Sequence, residues 1–200
     1  MEKETEEKIL DAARTIFHKE GYAGARMQQI ADEAGINKSM LHYYFRSKDK
    51  LFQKVFQEGM NRFFPVIFDL LDSDLDLKGK VKELVEKYIS FLKEKPQLPR
   101  FVIHEMNQNP GRFKQFIESK GMEIPENFGM QVNKEIEAGN IRPIKPQQLL
   151  VNIIALCVFP LIAQNMIQTV FSMNDDEFIA FLDERKKELP IFILKGLEVS

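Results

Sequence analysis

The stretch Ile30-Ala-Asp-Glu-Ala-Gly-Ile-Asn-Lys-Ser-Met-Leu-His-Tyr-Tyr-Phe-Arg-Ser-Lys-Asp-Lys-Leu51 carries more information than any other part of the chain. Ala31, Gly35 and Leu41 follow an Ala-x3-Gly-x5-Leu spacing. A small residue at 31 lets two helices approach closely. Gly35 supplies the positive φ that a tight turn between helices needs at little steric cost. Asn37 is a good N-cap for the second helix, whose Leu41 faces the core beside Ile30, Ile36 and Phe45. Ser39, His42 and Tyr43 then point mostly outward. Two short helices joined in this way form a helix-turn-helix, an arrangement that places its second helix in the major groove of DNA.

Working outward, the rest of the sequence reads as all-α. Ile9, Ala13, Ile16 and Phe17 make one stripe on a first helix that stops near Gly21. Short helices are expected at about 27–34 and 38–44, and a longer one after Ser47 with Leu51, Phe52, Val55 and Phe56 on one face. Pro65 should kink or end that helix, because proline lacks a donor and clashes with the preceding turn. Further helices are expected at 80–95, near 99–108 and near 125–138, with a final pair at about 146–172 and 175–197. Pro160 and Pro190 should bend this last pair, and Asn174 with Asp175 and Asp176 resembles a helix start. A boundary near residue 46 divides the chain into a small module, 1–46, and a larger helical domain, 47–200.

Bulk composition narrows the class without naming a function. The 200 residues are 44% hydrophobic and 29% charged, as in ordinary globular proteins. A net charge of -2 does not advertise nucleic-acid binding. From Lys38 to Lys54, however, five cations (Lys38, Arg46, Lys48, Lys50 and Lys54) face one anion, Asp49. Any DNA footprint is therefore small and local. The single cysteine, Cys157, excludes an internal disulfide and lies in an apolar stretch where a thiol is inert packing. The acidic N-terminus has no apolar signal core, and the most apolar run, 149–163, is shorter than the ~20 residues of a membrane span. A cytoplasmic protein without membrane attachment is expected.

The span from Gly21 to Phe52 resembles the DNA-binding domain of the TetR (tetracycline-repressor-like) family of transcriptional regulators. Gly21-Tyr22, Ile30-Ala31, Ala34-Gly35-Ile36, Lys38, Leu41, Tyr44-Phe45, Ser47-Lys48 and Leu51-Phe52 carry the match. The resemblance implies an all-helical homodimer, with three N-terminal helices on DNA and a larger C-terminal domain for inducer and dimerisation. It also implies a backbone contact for the lysine at the start of the fourth helix, which Lys48 matches. The chain departs from the family at Ala25 and Arg26, where Thr or Ser is frequent; Arg26 can meet phosphate as a cation, but a hydroxyl cap is lost. His42 stands where Tyr is usual, and Ser39 where Gly is common. The operator sequence is therefore this chain's own.

By residue type, Arg26, Lys38, Tyr43 and Lys48 are candidates for phosphate, and Ser39, Met40 and His42 for base edges. Seventeen phenylalanines, with polar groups between them, suggest an apolar effector cavity. Phe63, Phe64, Phe68, Phe101, His104, Asn107, Asn152, Gln164 and Gln168 are its candidate lining, since buried amides need partners. The apolar helices within 146–197 should pair with their symmetry mates as a four-helix bundle. His18, His42 and His104 have no metal-ligand spacing, no phosphate loop or nucleophile elbow is present, and His104-Glu105 reads as a structural pair. The expectation is a ligand-responsive homodimeric repressor that binds a pseudo-palindromic operator and is released by a small molecule. It is not expected to be an enzyme and needs no cofactor. The alternative is the same fold used as a protein-interaction adaptor or small-molecule carrier.

Overall fold

The computed structural model describes residues 2–120, 123 and 125–199, with the side chains of Glu2, Phe63, His104 and Gln108 outside the description. Eleven helices and no strand are present among the described residues. They are α1 (Glu2–Gly24), α2 (Met27–Glu33), α3 (Lys38–Tyr44), α4 (Lys48–Asp72), α5 (Leu77–Glu94), α6 (Leu98–Gln108), α7 (Pro110–Lys120), α8 (Glu126–Glu137), α9 (Pro146–Ile162), α10 (Gln164–Phe171) and α11 (Asp175–Lys195). Two compact units emerge, Met1–Phe63 with Arg100–Gly121, and Phe64–Pro99 with Met122–Ser200. This division differs from a single cut at 46, because α4 and the later helices α6 and α7 contribute to the unit that holds the first three helices.

In the first unit, α1 buries Ile9, Ala13, Ile16 and Phe17, the stripe expected from its spacing. The helix breaks at Gly21, whose φ of 67° and ψ of 178° are open only to glycine at low cost. The turn after α2 is a Schellman closure. Gly35 sits at φ 66°, its N–H donates to Asp32 O, and the Ile36 N–H donates to Ala31 O. Ile30 and Ala31 face inward from α2, and Leu41 does so from α3. The sequence reading missed α7, which opens on Pro110 and carries only a short apolar stripe. That stripe includes Phe116, which packs edge-on against Phe56 of α4 at 6.1 Å.

Pro65 does not end α4, which runs on to Asp72. Proline in a helix interior costs about 3 kcal/mol, but Ile67, Leu70 and Leu71 beyond it are buried and offset that loss. At the far end, the buried Lys80 of α5 donates to Leu71 O at 2.7 Å and so closes α4. Burial pulls the Lys80 ammonium below its usual pKa, while Asp72 and Asp74 oppose the shift.

The second unit is organised on α5, which buries Val81, Leu84, Val85, Tyr88, Ile89 and Leu92 and packs against α9 and α11. Lys93 pairs with Asp183, and Lys186 with Glu86, tying α5 to α11. Hydrogen bonds from Lys93 and then Lys186 hold the Asp183 carboxyl below the usual range. Asn174 and Glu177 form a reciprocal capping box at the start of α11, as its sequence suggested.

The helix expected over 146–172 is in fact two, α9 and α10, bent by 70° about Ala163. Pro160 explains the weakness there: it has no N–H to give to Leu156 O, its partner in a regular helix. Arg185 of α11 replaces the missing donor, with Nη2 at 2.9 Å and Nε at 3.3 Å from Leu156 O. By contrast, α11 runs through Pro190 to Lys195. The expected exchange of partners is testable by a double-mutant cycle in urea at fixed protein concentration. Arg185→Met should cost about 1–3 kcal/mol, the penalty for an orphaned buried carbonyl. In a Pro160→Ala background, where the backbone N–H is restored, the same change should cost less than half as much.

Candidate DNA-binding surface

The start of α3 and the direction its faces point are set locally. The Asn37 side chain accepts from the Met40 N–H at 2.8 Å and starts the helix. Leu41 is fully buried and Phe45 nearly so, which turns the opposite face outward. On that face Lys38, Ser39, Met40, His42 and Tyr43 are all exposed, with Tyr43 at 76%. The Tyr43 ring meets Tyr44 edge-on at 5.5 Å, which steers it. One helical face therefore presents a cation, a hydroxyl, a thioether, an imidazole and a phenol to solvent. Those groups suit base edges and phosphates and have no evident use in packing.

Arg26 is exposed at the start of α2. Its guanidinium has no acceptor and cannot cap the helix. Half of a capping box survives without it, because the Arg26 N–H donates to Gln29 Oε1 at 2.9 Å. Gln29 in turn donates to Glu20, which joins α2 to α1.

Lys48 is placed differently from the rest. Its ammonium donates to Tyr22 O at 2.8 Å and Ala25 O at 3.0 Å, and lies 4.6 Å from the centre of the Tyr22 ring. Two of its three donors therefore close the frayed end of α1. Lys54 lies 4.0 Å from Glu58. Of the five cations counted in this segment, Lys38, Arg46 and Lys50 stand exposed without an ion pair among the described residues.

The residues expected to line one effector cavity are dispersed. Phe101 is buried among Phe52, Phe56 and His18, with ring centres 5.1, 6.2 and 5.2 Å away, and serves as core of the first unit. Asn107, in the same unit, is exposed. In the second unit Phe64 and Phe68 are half-buried, with rings 5.8 Å apart. Asn152, expected as a buried amide, is exposed, and Gln164 is half-buried. Gln168 donates to Asp175 at 2.8 Å. These amides thus stand in water or have partners within the chain. The side chains of Phe63 and His104 lie outside the described residues. Cys157 is buried, and burial pushes its thiol up to about 12, so it stays protonated.

One feature had no sequence signal. Arg112 of α7 bridges Asp49 of α4 and the fully buried Glu105 of α6, partners 63 and 7 residues away. Beside it an open cleft of about 200 Å³ lies between α4 and α7. In the second unit, α9, α10 and α11 expose Val151, Phe159, Met166, Val170, Phe171, Ile179, Ile191 and Phe192, at 48–67% of their surface. Singly exposed apolar groups are ordinary, but so many large ones on consecutive helices mark an interaction surface.

Comparison with known proteins agrees with this geometry. The model of bacterial regulatory proteins of the tetR family matches residues 9–55, and that of the tetracyclin repressor-like C-terminal domain matches residues 78–180. The transcriptional regulator RutR of Escherichia coli is 27% identical over 150 residues, 71% of this chain and 66% of RutR. The aligned stretch thus spans just under two thirds of that relative. The transcriptional repressor NicS of Pseudomonas putida is 36% identical over 89 residues, 42% of each chain. Among solved structures, a putative fatty acid metabolism regulator from Clostridium perfringens aligns with a TM-score of 0.70 at 21% identity, over 96% of this chain and all of that one. FadR from Bacillus subtilis, solved with stearoyl-CoA, aligns with a TM-score of 0.67 at 16% identity, over 96% of this chain and 98% of that one. With the two family models covering the helix-turn-helix and most of the helical remainder, this chain belongs to the TetR family of bacterial regulatory proteins.

Proposed function

We propose that this chain is a cytoplasmic, ligand-responsive transcriptional repressor that binds a pseudo-palindromic operator as a homodimer and is released by a small molecule. The observation that carries the reading is the split character of α3, which buries Leu41 and Phe45 and exposes Lys38, Ser39, Met40, His42 and Tyr43. A helix so divided is anchored on one side and free to enter a groove on the other. Arg26, Lys38 and Tyr43 meet phosphates, while Ser39, Met40 and His42 read base edges; Met40 suits a thymine methyl and His42 a purine edge. Lys48 acts mainly by holding the end of α1, with one N–H left for phosphate. The name of NicS as a repressor supports the sign of regulation.

Two copies are needed because one short helix reads too few base pairs for a specific site. The exposed apolar face of α9, α10 and α11 supplies the means of pairing. A two-fold pair would set its recognition helices in major grooves about 34 Å apart. The rival reading, an adaptor or carrier without specific DNA binding, has no observation in its favour.

Titration against the DNA upstream of the chain's own gene tests the proposal directly. Affinity should exceed that for random DNA by about 10³-fold or more; equal affinity across a salt series would sink it. Lys38→Gln should weaken binding to all sequences and flatten the log–log salt slope by about 0.9. Lys48→Gln should also lower the melting temperature by about 2–8 °C, the loss of two hydrogen bonds to a charged donor at roughly 1–2 kcal/mol in all. His42→Ala should change which bases are preferred, and a uniform loss over all operators would remove it from the reading set. Phe192→Glu, at a position 67% exposed, should give the 23.3 kDa monomer in sedimentation and abolish operator binding at protein concentrations where the dimer binds fully.

A further inference from the structure

Arg112 holds two carboxylates that are committed to it unequally. Its Nη1 donates to Glu105 Oε1 at 2.7 Å, and its Nη2 donates to Asp49 Oδ1 at 2.5 Å. Glu105 is fully buried, and its second oxygen has no hydrogen-bond partner among the described residues. Taking the guanidinium away would leave an uncompensated charge in the interior. The Asp49 side chain is 43% exposed and sits in the first turn of α4, where water and the helix N-terminus both favour an anion. Glu105 is therefore the anchor, and Asp49 is exchangeable.

The two donors that hold Asp49 belong to residues that line the cleft beside it, which Asp49 itself does not line. Asp49 Oδ1 takes Arg112, and Oδ2 takes Gln53 Nε2 at 3.1 Å. Arg112 and Gln53 both line the 200 Å³ cleft, together with Phe56, Gln57, Gln115, Phe116 and Ser119. A carboxylate entering the cleft would therefore meet Arg112 and Gln53 from the side next to the chain's own carboxylate and compete with it for them. A planar guanidinium is suited to such a group, and the buried, edge-on rings of Phe56 and Phe116 give the cleft an apolar floor beside it. Arg112 also lies 5.4 Å from the centre of the Phe52 ring, so stacking keeps it in place during an exchange.

We propose that this cleft binds a small organic acid with an aromatic or short apolar body, whose carboxylate replaces Asp49 on Arg112 and Gln53. We infer that effector control runs through this exchange, a half of the proposal that rests on the DNA-binding reading above. Losing Asp49 unties α7 from the first turn of α4. That turn also carries Lys48, which closes the end of α1 in the DNA-binding module.

Isothermal titration of the full chain with benzoate, benzamide and benzylamine tests the site. Benzoate should saturate with a Kd of about 1 mM, as expected for so small a ligand, and the neutral and cationic analogues should not bind. Asp49→Asn removes the internal competitor and should tighten benzoate about two- to fivefold. Gln53→Leu should weaken it about tenfold. Arg112→Gln is a poor test by itself, since it strands Glu105 and endangers the fold. No saturation by benzoate, equal binding of benzamide or benzylamine, or unchanged affinity in both the Asp49 and Gln53 variants would overturn the site. Benzoate and Asp49→Asn should each lower operator affinity; if benzoate binds and operator affinity holds, the regulatory half fails. Absence of specific DNA binding by the ligand-free chain would instead overturn the function proposed above, and would leave the benzoate titrations standing.

Discussion

An all-helical chain must satisfy the backbone groups at every helix end, and this protein does so with side chains brought from elsewhere. Each helix leaves carbonyls at its C-terminus with no partner inside the helix. Lys48 takes those of Tyr22 and Ala25 where α1 frays after Gly21. Lys80 takes Leu71 O at the end of α4, and Arg185 takes the Leu156 carbonyl that Pro160 abandons. These cations act as couplings between helices as much as charges. The Lys48 contact fixes α4 to α1, and the α2–α3 corner rests on α1. The recognition helix is thus oriented by a hydrogen-bonded closure outside its own sequence.

The same constraint changes how the positive segment is read. A count of cations from Lys38 to Lys54 treats them as equivalent, but the structure does not. Lys48 is mostly consumed by backbone, and Lys54 lies near Glu58, whereas Lys38, Arg46 and Lys50 are free to face a polyanion. A footprint built on so few charges depends on duplication for strength, which the apolar face of α9, α10 and α11 can supply. Arg112 follows a related pattern with a different balance. Its partner Glu105 is fully buried and fixes one end of it, while its other partner, Asp49, is partly exposed.

Local patterns survived into the structure. The caps at Asn37 and Asn174, the positive φ of Gly35, the inward Leu41 and the outward face of α3 all depend on residues within a few positions of each other. Sequence spacing reports such features well. Patterns that needed a distant partner did not survive so well. Asn152 reads as a buried amide because its neighbours are apolar, but the face it occupies is exposed in the single chain. Gln168 finds Asp175 across the turn between α10 and α11. Pro65 reads as a helix end, but buried residues on both sides of it carry α4 through.

The sequence alone determined that the chain is helical, where its helix-turn-helix begins and ends, and which side chains that corner turns outward, since turn chemistry and helical periodicity act over a few residues. Only the tertiary structure decided that Lys48 is a helix closure, that α9 breaks from α10, that α7 carries Arg112 to Asp49 and Glu105, and that Arg112 and Gln53 share Asp49 beside an open cleft. Those outcomes rest on pairings between residues up to 63 positions apart, where burial and the demand to satisfy every buried polar group select the partner. No local rule encodes that selection.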